Sequence, residues 1–166
     1  MKRCSSTLDL FPIGNCAVSA LVDPAGSIVW SCQPRPDGEP VFSALLDPVA
    51  EDAGFWSVAA AGPARVTQDH LRNTAVLRTV FEAEDGSSFE VIDFAPRFRQ
   101  WGRVHRPAAL VRLIRPLAGS PRVVTRLRPT AGYGERRVEP SRGSNHAAYD
   151  FGAFRMRLTT NAPLSY

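Results

Sequence analysis

Carboxylates, histidines and cysteines are the groups in this 166-residue chain that could do chemistry. Asp47, Glu90 and Asp93 stand among apolar residues, where burial raises a carboxyl pKa and can make a general acid. Asp93, within VIDFAPR, ends an apolar run and precedes a Pro-Arg corner. That position suits a buried Asp–Arg pair holding a loop, and no second acid at a defined spacing completes a catalytic pair. His70, His105 and His146 are isolated, each without a second histidine at ligand spacing, and read as hydrogen-bonded surface or turn residues. Cys4, Cys16 and Cys32 show no CxxC or CxH spacing. With Val22 opposite Ser27 across a hairpin, Cys16 and Cys32 point to opposite faces. The expectation is reduced thiols, with no disulfide, no metal and no cofactor.

A second kind of chemistry is stacking. Phe98-Arg99-Gln100-Trp101-Gly102-Arg103 mixes planar and cationic groups, the kit that binds bases or sugars. Phe98 and Trp101, with Tyr133 from the Gly-punctuated stretch 132–137, are the candidate sugar-stacking rings. The simpler alternative is an ordered corner loop whose aromatics pack inward and whose arginines pair with acids.

These residues must be positioned by strands. Runs of five to eight residues separated by turn signals predict an all-β sandwich or barrel. Val18–Val22 and Ser27–Ser31 form an opening hairpin across Asp23-Pro24-Ala25-Gly26, where Asp23 caps amides and Gly26 takes a positive φ. Phe55–Val58 is a short strand. Arg72–Glu82 alternates up to Asp85-Gly86, the strongest hairpin signal present, and Ser88–Phe94 follows. Ala108–Arg115 and Arg122–Arg128 read as another pair, and Phe154–Thr159 alternates apolar and basic residues. Only Pro40–Asp47 looks helical, for one or two turns. The last strand signal ends near Thr160 without a cap, so the chain reads as cut from something longer, with a disordered N-terminus at 1–7 and one domain over 8–166.

At 44% hydrophobic and 22% charged, the composition is that of a globular domain. No apolar run approaches the roughly 20 residues that cross a bilayer, and the basic N-terminus lacks the apolar stretch of a signal peptide. The expectation is a cytoplasmic protein that does not engage a membrane. Charge is uneven: residues 1–96 hold 6 Lys and Arg against 13 Asp and Glu, whereas 97–142 hold 12 Arg against Glu135 and Glu139. The arginines are interleaved with apolar residues, which favours internal matching to acids, or to a neighbouring domain, over a nucleic-acid surface.

Several stretches, in order, resemble the N-terminal domain of bacterial glycoside hydrolase family 15 proteins, the glucoamylase, glucodextranase and trehalase-like group. They are IGNCAVSALVDPAGSIVWSCQPRPDGEPVFSALLD (13–47), GFWSV (54–58), HLRNTAVLRTVF (70–81), FEVIDFAPRF (89–98), RPLAGSPRVVTRLRP (115–129) and RGSNH (142–146). The resemblance implies an antiparallel β super-sandwich, incomplete at its C-terminal end, that precedes an (α/α)6 barrel. In the family, two carboxylic acids of that barrel hydrolyse α-glucosidic bonds with inversion. No residue of this segment inherits their role, so the segment itself is expected to be non-catalytic and its parent a hydrolase acting on trehalose or an α-glucan. Pro36 stands where the family commonly shows an aromatic, which leaves Arg35 and Asp37 as the polar contacts of that turn. Asn15, Arg35, Asp37, Arg97 and Arg99, all at turn positions, are the candidate contacts to the barrel or its pocket rim. Two alternatives stay open: an independent carbohydrate-binding module, and an Arg-rich polyanion-binding domain. An open sheet edge also leaves room for a homodimer.

Overall fold

The computed structural model describes residues 8–46 and 52–164. The expected disordered N-terminus, Cys4 and Asp47 lie outside these residues. The described residues form strands and turns, with no helix. β1 (Phe11–Gly14), β2 (Ser19–Val22), β3 (Ile28–Cys32), β5 (Phe55–Ala60) and β12 (Val123–Arg128) hydrogen-bond in that order, and β4 (Pro40–Phe42) pairs with β3 to complete a six-stranded sheet. Against it packs a four-stranded sheet ordered β11 (Val111–Ala118), β8 (Ser88–Phe94), β7 (Leu77–Ala83), β6 (Ala64–His70). A smaller sheet of β15 (Pro140–Arg142), β16 (His146–Asp150) and β17 (Arg155–Thr159) follows. Two ribbons complete the set: β9 (Phe98–Gln100) with β10 (Arg103–His105), and β13 (Thr130–Ala131) with β14 (Arg136–Arg137). All the pairings are antiparallel, as in an all-β sandwich.

The core lies between the two larger sheets. Ile13, Ala20, Val22, Ile28, Val41 and Phe42 meet Leu77 from the opposite layer, and Val58 meets Phe81, Phe89 and Val91. Phe81 and Phe89 face each other on neighbouring strands with centroids 4.7 Å apart. Burying such side chains stabilises by about 1.5–3 kcal/mol each before entropy is counted.

A buried ion pair anchors a polar link across this core. Arg112, inward on β11, grips Asp93 of β8 through Nε and Nη2 at 2.8 and 2.9 Å, with both side chains buried. The same guanidinium donates to the Trp56 carbonyl at 2.6 Å and the Gly26 carbonyl at 2.5 Å, both in the other layer. A buried Asp–Arg pair therefore exists, but its arginine is Arg112 and not Arg97 of the Pro-Arg corner, and it joins two sheets. On the outer face of the four-stranded sheet, Glu90 is buried beneath Arg78, 2.6 Å away, and Arg115. The Arg78 hydrogen bond holds its carboxyl below the usual value, burial opposes this, and Arg115 adds to the lowering. A depressed folded-state pKa contributes stability that is present above about pH 4.5 and lost as pH falls through the folded value. Glu90→Gln is expected to flatten the acid limb of the stability–pH curve and to cost roughly 1 kcal/mol at neutral pH. Urea unfolding at pH 7 and below pH 4 checks both.

Several expectations need correction. Pro40–Asp47 forms no helix where it is described: Pro40–Phe42 is strand, and Ala44–Leu46 is a turn. Ser43 and Ala44 N–H groups donate to Gly54 O and Leu45 N–H to Val29 O, so neighbouring segments claim the donors a helix needs. The opening hairpin pairs Val22 with Ile28, and Leu21 with Trp30 across a bulge. Ser27 is drawn into the turn, its N–H donating to Asp23 Oδ1 at 2.8 Å. Cys16 lies outside the strands, exposed, with φ 70°, while Cys32 is buried. The strand placed at 72–82 starts only at Leu77, after a turn in which Thr74 N–H donates to Leu71 O. Finally, β11 and β12 do not pair with each other. β11 pairs with β8 and β12 with β5, so the chain changes layer between them. Each strand there gains more by burying one face against an established sheet than by forming an isolated two-stranded hairpin.

Candidate functional site

Strand registers bring four loops to one end of the body. The β1–β2 turn closes at Gly14 and Ser19, and Ser31 Oγ donates to Ser19 O, so β3 ends beside that turn. The loop 33–39 starts there and returns at Pro40, the partner of Cys32. β8 ends and β11 begins at the same end, because Val111 pairs with Phe94. The β13–β14 turn joins through Glu39, whose Oε1 accepts from Tyr133 N at 3.3 Å and from Gly132 N.

Asn15 organises this end. Its Oδ1 accepts from Ala17 N at 2.9 Å and Val18 N at 3.1 Å. Its Nδ2 donates to Pro96 O at 2.8 Å and Pro107 O at 2.9 Å. Neither proline can donate a backbone bond, so their carbonyls are what a side chain must grip. Asn15 is buried, and its role is to clamp the root of the β9–β10 ribbon.

The ribbon projects from that root. Trp101 and Gly102, at φ 49° and 74°, form its tip, the pairing of positive angles that a tight two-residue hairpin requires. Phe98 and His105 stack on one face with centroids 5.4 Å apart. Arg99 and Val104, directly paired, occupy the other. Trp101 is 87% exposed. Arg97 Nη1 lies 4.0 Å from Cys16 Sγ, and none of Arg97, Arg99, Arg103 and Arg106 forms an ion pair among the described residues.

Arg35 and Asp37 sit in the neighbouring loop and bind each other through two 2.9 Å hydrogen bonds, both exposed. That bond lowers the Asp37 carboxyl pKa. Pro36, between them, is exposed. Tyr133, at φ 55° and 62% exposed, crowns the β13–β14 turn. Phe98 and Trp101 share one ribbon, Tyr133 rides on another loop, and no ring contact joins the three. The candidate contact and stacking residues thus lie at this end, with Asn15 inside and the rest outside. Glu39, which ties two of the loops together, was missed, because its partner is 93 residues away and nothing local marks it.

The buried carboxylates are committed elsewhere, Asp93 to Arg112 and Glu90 to Arg78 and Arg115. Among the described residues no three His, Cys, Asp or Glu are placed to hold a metal, and no helix is long and apolar enough to cross a membrane. The internal matching of charge holds in part. Arg112, Arg115, Arg128 and Arg137 from the basic segment pair with Asp93, Glu90 and Asp52 from the acidic one.

The family described as "Trehalase-like, N-terminal" matches residues 8–149. Trehalase 1 of Sulfolobus acidocaldarius is 41% identical over 85 residues, covering 51% of this chain and 14% of that protein. The trehalase of Mycolicibacterium smegmatis is 32% identical over 78 residues, covering 45% of this chain and 11% of its own. That of Mycobacterium tuberculosis is 33% identical over 72 residues, covering 41% and 10%. The matched stretch therefore spans at most 14% of the length of these relatives. No solved structure matches the chain at a significant level. With its β-sandwich and a match running from Leu8 to Tyr149, this chain belongs to the trehalase-like N-terminal domain family.

Proposed function

We propose that this domain is the non-catalytic brace of a family 15-like α-glucosidase of trehalase or glucoamylase type. It works in the cytoplasm and holds an (α/α)6 barrel through its loop end. One observation carries this reading: four loops from different parts of the chain are bonded in two pairs at a single end, and there they expose Trp101, Tyr133, Arg35, Asp37, Arg97 and Arg99. Loops fixed from behind and bearing aromatic and arginine side chains outward are what interface hot spots are made of. The commitment of Asp93 and Glu90 to arginines supports a role without bond cleavage, since glycoside hydrolysis needs two carboxyl groups flanking a sugar.

The test joins this chain to the sequence encoded after it and measures glucose release from trehalose and α-glucans. Release is expected from the joined protein only. Trp101→Ala in the joined protein is expected to weaken the domain contact by about 2 kcal/mol, seen as earlier separation of two unfolding transitions, while the isolated domain's midpoint is unchanged. Glucose release by the isolated domain overturns the proposal. Retention of the isolated domain on immobilised starch, lost in Trp101→Ala, would favour the carbohydrate-binding module instead.

A further inference from the structure

A cavity of about 160 Å³ opens between the end of β12, the β13–β14 ribbon and the three-stranded sheet. Arg128, Arg137 and Arg142, from three different strands, line it together with Asp52, Glu139 and Tyr149. The Tyr149 ring is wedged into the small core of Ala131, Val138 and Ala147, leaving the residue 4% exposed. Its hydroxyl makes no hydrogen bond among the described residues, although the residue borders the cavity. Burial pushes the phenol pKa up, against the pull of Arg142 and Arg128, so the hydroxyl keeps its proton and stays a donor.

The arginines are only loosely occupied. Asp52 approaches Arg137 at 3.4 Å and Arg128 at 3.8 Å, through different oxygens, and Arg142 has no ion-pair partner among the described residues. Three guanidiniums against two carboxylates leave the walls with a formal charge of +1. Guanidinium forks complement a carboxylate in shape as well as charge. Asp52 and Glu139, as acceptors, are in turn satisfied by hydroxyl groups. A dianion overshoots the wall charge and meets both carboxylates. The volume holds about five waters' worth of ligand, which suits a small molecule.

We propose that this cavity binds a small hydroxylated monocarboxylate of the sugar-acid class, its carboxylate held by Arg142 and Arg137 and a ligand oxygen accepting from Tyr149. The proposal does not rest on the bracing role, since none of the residues lining the cavity is among those assigned to the domain contact.

Nuclear magnetic resonance titration of the isotope-labelled chain tests it, with sodium gluconate as the probe and glucose and sulfate as controls. Gluconate is expected to produce saturable shifts at the lining residues in the millimolar range. Glucose, which lacks the charge, and sulfate, which carries two, are expected to bind at least about tenfold more weakly. Arg142→Gln, at an exposed position, is expected to weaken gluconate binding about tenfold without altering the fold, and Tyr149→Phe to weaken it several-fold. Absence of saturable shifts, equal binding of glucose or sulfate, or an unchanged affinity in Arg142→Gln overturns the proposal.

Discussion

Asp93→Ala is expected to cost about 3–5 kcal/mol of folding stability, the effect of leaving one member of a buried ion pair without its partner. Arg112 would keep its bonds to the Trp56 and Gly26 carbonyls, but its charge would lose its bonded counterion in the core, with Asp23 left as the other carboxylate acting on it. At roughly 2–4 °C per kcal/mol for a domain of this size, the thermal midpoint falls by about 10 °C. The double variant Asp93→Leu with Arg112→Met is expected to recover part of the loss, because neither charge of the pair is then buried, although the two carbonyls of the facing layer lose their donor. Calorimetry on the three proteins decides the matter. A single variant within about 2 °C of the parent would mean that the pair does not join the layers energetically.

Asn15→Ala carries the second large effect. It strips partners from Ala17 N, Val18 N, Pro96 O and Pro107 O at once, at an expected cost of about 2–4 kcal/mol, since water reaches part of the site. The more telling readout is local. Amide exchange along Phe98–His105 is expected to accelerate well beyond that of Phe89 and Val91, because the root of the ribbon is released while the core sheet is not. Asn15→Asp retains the acceptor but points a carboxylate oxygen at two carbonyls, so it should be at least as damaging. Equal acceleration throughout the molecule would show that Asn15 supports the whole fold and not the ribbon in particular. In an assembled enzyme, loosening this ribbon is expected to weaken the proposed domain contact even though Trp101 itself is untouched.

Particular residues show how far the chain can be read in advance. Asp85-Gly86 marked its turn because that dipeptide tolerates the required angles, and Gly86 has φ 80° with Ser87 N–H donating to Asp85 Oδ1. Ser88–Phe94 was found at its observed bounds. β6 was missed, because its inward residues are Ala64, Val66, Gln68 and His70, half of them polar, and this disguises the alternation. β11 lies three residues later than the expected 108–115 and runs through Pro116, which it tolerates as an edge strand, where a missing donor costs little. The turn positions of Asn15, Arg35, Asp37 and Trp101 were legible from residue type, whereas Phe98 and Arg99 lie within β9. The convergence of the site was not legible, since Asn15 meets Pro107 across 92 residues and Glu39 meets Gly132 across 93.

By itself, then, the order of residues determined what depends on near neighbours: the all-β character, several of the turns, and the family, whose signature runs through the first hairpin. Only the tertiary structure decided which strands share a layer, that Arg112 is the arginine answering Asp93, and that four separate loops end side by side. The reason is physical. Turn angles and side-chain alternation are settled within a few residues by sterics, whereas sheet partners are chosen among competing pairings by the burial that the whole body achieves.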